Sequence, residues 1–300
     1  MVTAFAVIAT SAFVIDQKGM PDRSSPEIQK LLTGIAEGKK QRRIGIRQQS
    51  CHFKRETSQA LSEDYSPCLP ENHGNAVVIL GDSHAADIWM GLSRAFPNLS
   101  IVQFTGAGCS LARSHVPNGH CAAMLDVANH WISKNTDKIE AVIHSQRAGH
   151  IMNGDPEKDV SVMLTDFSKV ERLKAQLDGI SSIGLPVYFW GPRPEFHPVM
   201  QVVVTRNRTM QAIKEHYHNA DFSVFRSLDN DLKLYFSDHS VTYVSSIELV
   251  CTPTCPFMLP DGKPVFVDYA HWSPNGAALA VDQVVQGSEV LSTLLQAPTH

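Results

Sequence analysis

A serine, an aspartate and a histidine stand where they could together perform nucleophilic catalysis. Ser83 follows the apolar run 77–80 after one glycine and one aspartate. Asp268 and His271 are three positions apart, so a single turn of the chain can bring their side chains together. A histidine oriented by a carboxylate can take the proton of a serine hydroxyl, which then attacks a carbonyl carbon. These three residues are the predicted catalytic set.

The neighbours of these residues are candidates for supporting roles. Backbone N–H groups at Ser83 and Gly108 could stabilise an oxyanion, since glycine permits close approach of the backbone to a reacting carbonyl. Asp82 is expected to fix the turn by accepting backbone N–H bonds rather than by acid–base chemistry. His84 is expected to support the site or to face the substrate, and Trp272 to line a sugar site beside the predicted base.

Other interpretations of the same residues are open at this point. A serine that follows a strand can simply cap a helix. The pattern Asp82-x-His84 also occurs in metallophosphoesterases, but the further metal-binding blocks of that chemistry are missing from the sequence. The GxSxG motif of α/β-hydrolases is absent too, which argues against that fold. No metal ion and no tightly bound cofactor are predicted.

Alternating strand and helix patterns must position these residues. Apolar runs predict strands at 77–80, 100–104, 139–144, 186–190 and 241–245. Helical spacing predicts helices at 85–96, 121–135, 166–183, 202–218 and 274–295, with a short one at 26–38. This alternation predicts a three-layer α/β/α sandwich with a mainly parallel sheet. In such a fold the loops after the strands meet at one edge, where ligands bind.

Charge and the first residues narrow the class of protein. Nucleic acid binds to basic protein surfaces, and a net charge of −4 argues against such a surface here, so no nucleic-acid partner is predicted. Residues 1–15 are uncharged and mostly apolar, but a full membrane span needs about 20 such residues. They could be a signal anchor, a signal peptide or, as we favour, the end of a transmembrane helix. Residues 16–75 are predicted to be a linker and lead-in loop before a catalytic domain at 76–300.

Six cysteines occur as three close-set couples. The couples are Cys51 with Cys68, Cys109 with Cys121, and Cys251 with Cys255. An even count fits an oxidising compartment, and sequential pairing would close three separate loops. Free buried thiols and a zinc site are the alternatives. Together with the apolar start, the cysteines favour an extracytoplasmic protein.

Several motifs together resemble the SGNH (GDSL-like) hydrolase superfamily. They are Gly81-Asp82-Ser83-His84-Ala85, Gly108-Cys109, the run from Pro192 to Phe196, and the DxxHxSxxGA pattern from Asp268 to Ala277. In detail they are similar to SGNH domains fused behind acyltransferase-3 membrane domains in bacterial O-acetylases, over roughly residues 76–291. One motif departs from the superfamily. The asparagine expected after the third strand is missing, and Gln146 or Arg147 could supply the oxyanion donor instead.

The resemblance implies a fold, an activity and partners. It implies a flavodoxin-like sandwich in which Ser83, Asp268 and His271 transfer an O-acyl group, usually acetyl, to lipopolysaccharide or another surface glycan. An acyltransferase-3 membrane domain, in cis or in trans, would deliver the acetyl group, ultimately from acetyl-CoA. The location would be the periplasmic face of the inner membrane, tethered by residues 1–15. A carbohydrate O-acetyl esterase and a non-catalytic glycan-binding module are the alternatives.

Overall fold

The computed structural model describes residues 25–70, 75–113, 119–154, 163–207, 209–252 and 254–296. The apolar segment 1–15 that is expected to be a membrane tether lies outside these residues. Within the described ranges, no helix has both the length and the apolar character needed to cross a bilayer.

A six-stranded parallel sheet forms the centre of the described structure. Its strands are β1 (His52–Phe53), β2 (Ala76–Gly81), β3 (Ile101–Gly106), β4 (Ile139–Ser145), β5 (Val187–Trp190) and β6 (Val241–Val244). The spatial order is β1-β3-β2-β4-β5-β6, and every neighbouring pair is parallel. All six residues of β2 are buried, as expected for a strand covered on both faces. The five predicted strands are confirmed, and β1 adds an edge strand in a region predicted to be irregular.

Helices between the strands complete the predicted three-layer α/β/α sandwich. They are α1 (Pro26–Gly45), α2 (Ser58–Glu63), α3 (Ser83–Ala95), α4 (His120–Lys134), α5 (Phe167–Ser181), α6 (Met200–Arg206), α7 (Met210–His218), α8 (Ser223–Tyr235), α9 (Ser246–Val250), α10 (Pro274–Gly287) and α11 (Glu289–Gln296). The sequence pattern did not predict α8, although Phe225, Leu228 and Leu232 recur at helical spacing and are buried.

Two predicted helices are each divided in two. Within 202–218 the backbone becomes extended at Asn207, and the side chain of Thr209 caps the helix that follows. Near the end of the chain Ser288 is extended, and its hydroxyl accepts the N–H of Leu291. Serine and threonine side chains offer backbone N–H groups a local partner, so they begin new helices where apolar spacing alone predicts continuity.

Helix α1 continues seven residues beyond the predicted end at residue 38 and packs against the sheet domain. Its buried residues are Ile28, Leu31, Ile35, Gly38 and Arg42. A Cβ atom added at Gly38 would lie 3.0 Å from Val267 and 3.5 Å from Ser273. The helix therefore lies directly on the loop that carries His271.

Helices α3 and α10 pack at unusually close range. A Cβ atom added at Gly91 of α3 would lie 2.7 Å from the carbonyl oxygen of Ala277 and 2.6 Å from a methyl group of Val281 in α10. Both distances are shorter than van der Waals contact, so this crossing accepts only glycine without a shift of the backbone.

The cysteine couples are disulfides with sequential pairing. The bridges are Cys51–Cys68, Cys109–Cys121 and Cys251–Cys255, and no cysteine among the described residues is free. The predicted pairing is confirmed. The bonded sulfur atoms leave no thiolates for the alternative zinc site.

Loss of the Cys51–Cys68 bridge is expected to destabilise the fold more than loss of Cys251–Cys255. The first pair is 17 residues apart and the second only 4, and the entropy that a bridge removes from the unfolded chain grows with loop length. We expect C51S/C68S to lower the free energy of unfolding by about 3 kcal/mol and C251S/C255S to lower it by less. Urea denaturation measures both, and the reverse order would contradict the expectation.

Candidate active site

Ser83 lies at the carboxyl end of β2 and is the first residue of α3. β2 pairs with β3 on one side and with β4 on the other. The order in which the chain adds strands to the sheet therefore reverses at β2, and parallel α/β sheets bind ligands at such a point. At Gly81 a Cβ atom would lie 2.0 Å from the carbonyl oxygen of Ser145, so the turn requires glycine. Asp82, not Ser83, is the helix cap, and the helix-cap alternative for Ser83 is wrong.

Ser83, His271 and Asp268 form a continuous hydrogen-bonded chain. Ser83 Oγ lies 2.8 Å from His271 Nε2, and His271 Nδ1 lies 2.9 Å from Asp268 Oδ2. The backbone N–H groups of Ala270 and His271 also donate to Asp268 Oδ1, at 2.9 and 2.8 Å. When Nδ1–H donates to the carboxylate, Nε2 is left to accept the proton of the serine. The three residues singled out by spacing are therefore in direct contact.

Asp268 remains ionised in this environment. Burial by itself would raise its pKa, but the hydrogen bond and charge of His271, with the N–H groups of Ala270 and His271, lower the pKa below its usual value. The side chains of His271 and Asp268 are 18% and 23% exposed, so small molecules can reach the ring. A charged carboxylate stabilises the imidazolium that forms when His271 takes up a proton.

Asp82 ties together the loops after β2 and β4. Its Oδ1 accepts the N–H of His84 at 2.7 Å, and its Oδ2 accepts the N–H of Arg147 at 2.8 Å. His150 Nε2 lies 3.2 Å from the same Oδ2 atom. Burial would raise the pKa of Asp82, but His150 and these backbone donors lower it overall. The contacts match the turn-fixing role expected from the sequence.

Asp82→Asn is expected to lower the free energy of unfolding by about 1–3 kcal/mol at neutral pH, because it weakens bonds to a buried charge. The lowered pKa means that this contribution is fully present above the unfolded pKa, about 3.9, and is lost as the pH falls through the folded value. The difference in free energy of unfolding between wild type and variant should therefore become smaller below about pH 4. Urea denaturation across this pH range measures the difference, and Asp137→Asn, at an exposed position, is the control. A difference that does not change with pH would contradict the prediction.

The loop after β3 borders the serine, because the ends of β2 and β3 are paired. Gly108 in this loop has a φ of 64°, a conformation that favours glycine. Gln146 in the loop after β4 is fully buried, and its Oε1 accepts the hydroxyl of Ser110 at 3.0 Å. The Gln146 amide thus joins these two loops beneath the surface. The structure thus places Gly108 and Gln146, two of the predicted oxyanion candidates, in loops adjacent to Ser83.

Arg147 forms an ion pair with Glu195 beside the loop that carries His271. Its Nη2 and Nε donate to the Glu195 carboxylate at 2.7 and 2.9 Å, and its guanidinium lies 4.7 Å from the centroid of the Tyr269 ring. Arg193, two residues before Glu195, does not join this pair, because its guanidinium pairs with Asp87 instead. These contacts favour a structural ion pair over the role of oxyanion donor that the sequence left open for Arg147.

His84 and Trp272 are both buried, with 1% and 2% exposure. Burial lowers the pKa of His84 well below its usual value, and the nearby charge of Arg193 lowers it further, so this ring is neutral and is a poor proton acceptor. It packs edge-on against His271, with ring centroids 5.5 Å apart. The Trp272 ring lies 3.8 Å from the guanidinium carbon of Arg193. The expectation that Trp272 lines an open sugar site is wrong, because no face of its ring is exposed.

A buried charge cluster of Arg42, Asp87 and Arg193 lies beneath the site and was not predicted. Asp87 Oδ1 accepts Arg42 Nε at 2.6 Å, and Asp87 Oδ2 accepts Arg193 Nη2 at 2.5 Å. Asp87 is completely buried. An aspartate in the buried stripe of an apolar helix is the sequence signal that could have pointed to it, since buried carboxylates are rare without partners.

Comparisons with known proteins agree with this architecture. The family model described as "SGNH domain (fused to AT3 domains)" matches residues 50–286. Among solved structures, the periplasmic domain of a lipopolysaccharide acetyltransferase from Salmonella ser. Paratyphi A has a TM-score of 0.60 at 16% identity, over 87% of this chain and 98% of that chain. This likeness shows a shared fold.

Two further solved structures match with lower TM-scores. A GDSL-like lipase from Bacteroides thetaiotaomicron VPI-5482 has a TM-score of 0.40 at 11% identity, over 81% of this chain and 100% of that chain. The C-terminal catalytic domain of peptidoglycan O-acetyltransferase A from Streptococcus pneumoniae has a TM-score of 0.31 at 13% identity, over 73% and 95%. No curated protein sequence matches this chain significantly.

Proposed function

Because this chain belongs to the family of SGNH domains that are fused to AT3 domains, we propose that it transfers O-acyl groups, with acetyl as the expected group, to a bacterial cell-surface carbohydrate. The observation that carries the proposal is the hydrogen-bonded chain from Ser83 through His271 to Asp268. A serine activated in this way is the nucleophile of acyl-transfer enzymes.

The transfer proceeds in two displacements on Ser83. In the first, Ser83 Oγ attacks the acyl carbonyl carbon while His271 Nε2 takes the hydroxyl proton. The tetrahedral intermediate collapses, the bond to the donor breaks, and His271 returns the proton to the leaving group. In the second, a sugar hydroxyl gives its proton to His271 and attacks the serine ester, and Ser83 leaves with that proton. Asp268 stays ionised throughout and stabilises the imidazolium.

The oxyanion of each tetrahedral intermediate needs donors close to Ser83. Backbone N–H groups at Ser83 and Gly108 are the proposed donors, because the first lies at the start of α3 and the second in the adjacent loop. Gln146 and Arg147 hold the neighbouring loop through Ser110 and Glu195. They would act on the oxyanion by shaping that loop, in place of the missing asparagine.

The donor and acceptor follow from the family. An acyltransferase-3 membrane domain, in cis or in trans, would supply the acetyl group, ultimately from acetyl-CoA, and the domain would work on the periplasmic side of the inner membrane. A solved structure with the same fold is the periplasmic domain of a lipopolysaccharide acetyltransferase, which supports a surface glycan as acceptor. No cofactor is proposed to be bound by this chain.

Hydrolysis is the second candidate activity. His271 and Asp268 retain 18% and 23% exposure, so water can approach the serine ester from the solvent side. If water instead of a sugar hydroxyl gives its proton to His271, the same acyl-enzyme releases the free acid and the protein is an esterase.

The acyl-enzyme is the intermediate that tests the proposal. The protein is incubated with an activated acetyl ester, quenched in acid and digested, and mass spectrometry locates the acetyl group. Acetyl on Ser83 supports the proposal, and a correctly oxidised protein that never acquires it would count against both enzymes and for a glycan-binding module. Adding an oligosaccharide then separates transfer to sugar from release of acetate.

A further inference from the structure

We propose that Arg42 of α1 is a positioning residue that aligns His271 with Ser83 through the buried carboxylate of Asp87. The inference rests on the proposed function and deepens it, because it concerns how the same catalytic set is held. Helix α1 spans Pro26–Gly45 and therefore precedes the residues 50–286 that the family model matches.

The backbone on both sides of His271 is attached to the buried charge cluster. The carbonyl oxygen of Ala270 accepts Arg193 Nε at 2.8 Å, and the N–H of Trp272 donates to Asp87 Oδ2 at 3.1 Å. Arg193 Nη2 donates to the same Oδ2 atom at 2.5 Å. Asp87 thus holds the residue after His271 directly, and it holds the residue before His271 through Arg193.

The same carboxylate is anchored on the helix of the nucleophile. Asp87 follows Ser83 by four positions in α3, which places the two residues one turn apart on the same side of the helix. Arg42 Nε donates to Asp87 Oδ1 at 2.6 Å, and Arg42 Nη2 donates to the carbonyl oxygen of Ser83 at 3.1 Å. Arg42 therefore contacts both the backbone of the nucleophile and the carboxylate that holds the base.

Removal of Arg42 is expected to affect alignment more than folding. Asp87 keeps its ion pair with Arg193, so the variant does not leave a buried carboxylate without any charged partner. The carbonyl oxygen of Ser83 loses its side-chain donor, and Asp87 becomes free to turn toward Arg193. Misplacement of reacting groups by about 1 Å can cost about 10²-fold in rate. Docking of α1 is thereby coupled to the geometry of the catalytic set.

The experiment compares Arg42→Gln with Arg43→Gln in the full chain. Arg43 is the exposed neighbour on the same helix, so both variants lose one positive charge at adjacent positions. The measurements are the rate at which 4-nitrophenyl acetate acetylates Ser83, kcat and KM for its turnover, and Tm. We expect Arg42→Gln to lower the acetylation rate and kcat by about ten- to a hundredfold with KM nearly unchanged, and Arg43→Gln to behave as wild type.

Arg42→Lys keeps the charge beside Asp87 but replaces the two-pronged donor with a single ammonium group. It is expected to fold with a Tm close to that of Arg43→Gln and to acetylate at a rate between those of wild type and Arg42→Gln. If both Arg42 variants match Arg43→Gln, the inference is overturned, and if Arg42→Gln does not fold, Arg42→Lys decides alone. A wild-type protein without acetylation at Ser83 would overturn the proposed function itself, which separates the two failures.

Discussion

Replacing Ser83 with alanine is expected to lower the rate of acyl transfer by about 10⁴- to 10⁶-fold. Ser83 Oγ is the atom that His271 Nε2 contacts at 2.8 Å, and alanine leaves that nitrogen with no hydroxyl to deprotonate. Any remaining rate would come from direct attack of the acceptor on the bound donor. Initial rates of acetyl transfer to an oligosaccharide and of acetate release measure the effect.

The control for this prediction is Ser93→Ala, a second serine on the same helix α3. It should retain wild-type rates, and both alanine variants should unfold at temperatures near that of the wild type, because Ser83 is only half-buried. Wild-type rates of both transfer and release in Ser83→Ala would show that this serine is not the nucleophile.

Asp268→Asn is expected to lower kcat by about 10³- to 10⁴-fold. The amide has no negative charge to stabilise the imidazolium. Its NH₂ group can also donate to His271 Nδ1, which would favour the tautomer whose Nε2 carries a hydrogen and cannot accept one. The measurement is kcat for an activated acetyl ester as a function of pH. Asp261→Asn replaces an exposed aspartate upstream in the same loop region and should have no such effect.

The pH dependence of the wild type provides a second check on Asp268. Its pKa lies below the usual value, so the carboxylate stays charged from neutral pH down to strongly acidic conditions. Protonation of Asp268 is therefore not expected to reduce activity at mildly acidic pH. NMR of the Asp268 carboxyl carbon as a function of pH measures this directly, and protonation of that carboxylate above about pH 4 would contradict the assignment.

The contact of Ser83, His271 and Asp268 could be predicted from the sequence because each part depends on local chemistry. A buried strand that ends in Gly81 and Asp82 must turn sharply, and that turn presents Ser83. Asp268 and His271 are close in sequence, so their contact needs only one turn of chain. The central strands could be predicted equally well, since strands buried on both faces are nearly continuous apolar runs.

Contacts between distant segments were not predictable in the same way. Arg42 and Asp87 are 45 positions apart, and Arg193 and Asp87 are 106 apart. Nothing in the local pattern of a linker arginine distinguishes a buried ion pair from a solvated side chain. The burial of Trp272 was missed for the same reason, because it depends on Arg193 lying over the ring.

The close crossing of α3 and α10 has a consequence for the distance between Ser83 and His271. α3 begins with Ser83, and α10 begins three positions after His271. The two helices touch at Gly91 and Ala277, so the distance between their amino-terminal ends depends on how closely they pack at this contact. A methyl group at residue 91 would push the two helices apart. The distance between Ser83 and His271 is thus set partly by a backbone contact about two helical turns away from Ser83.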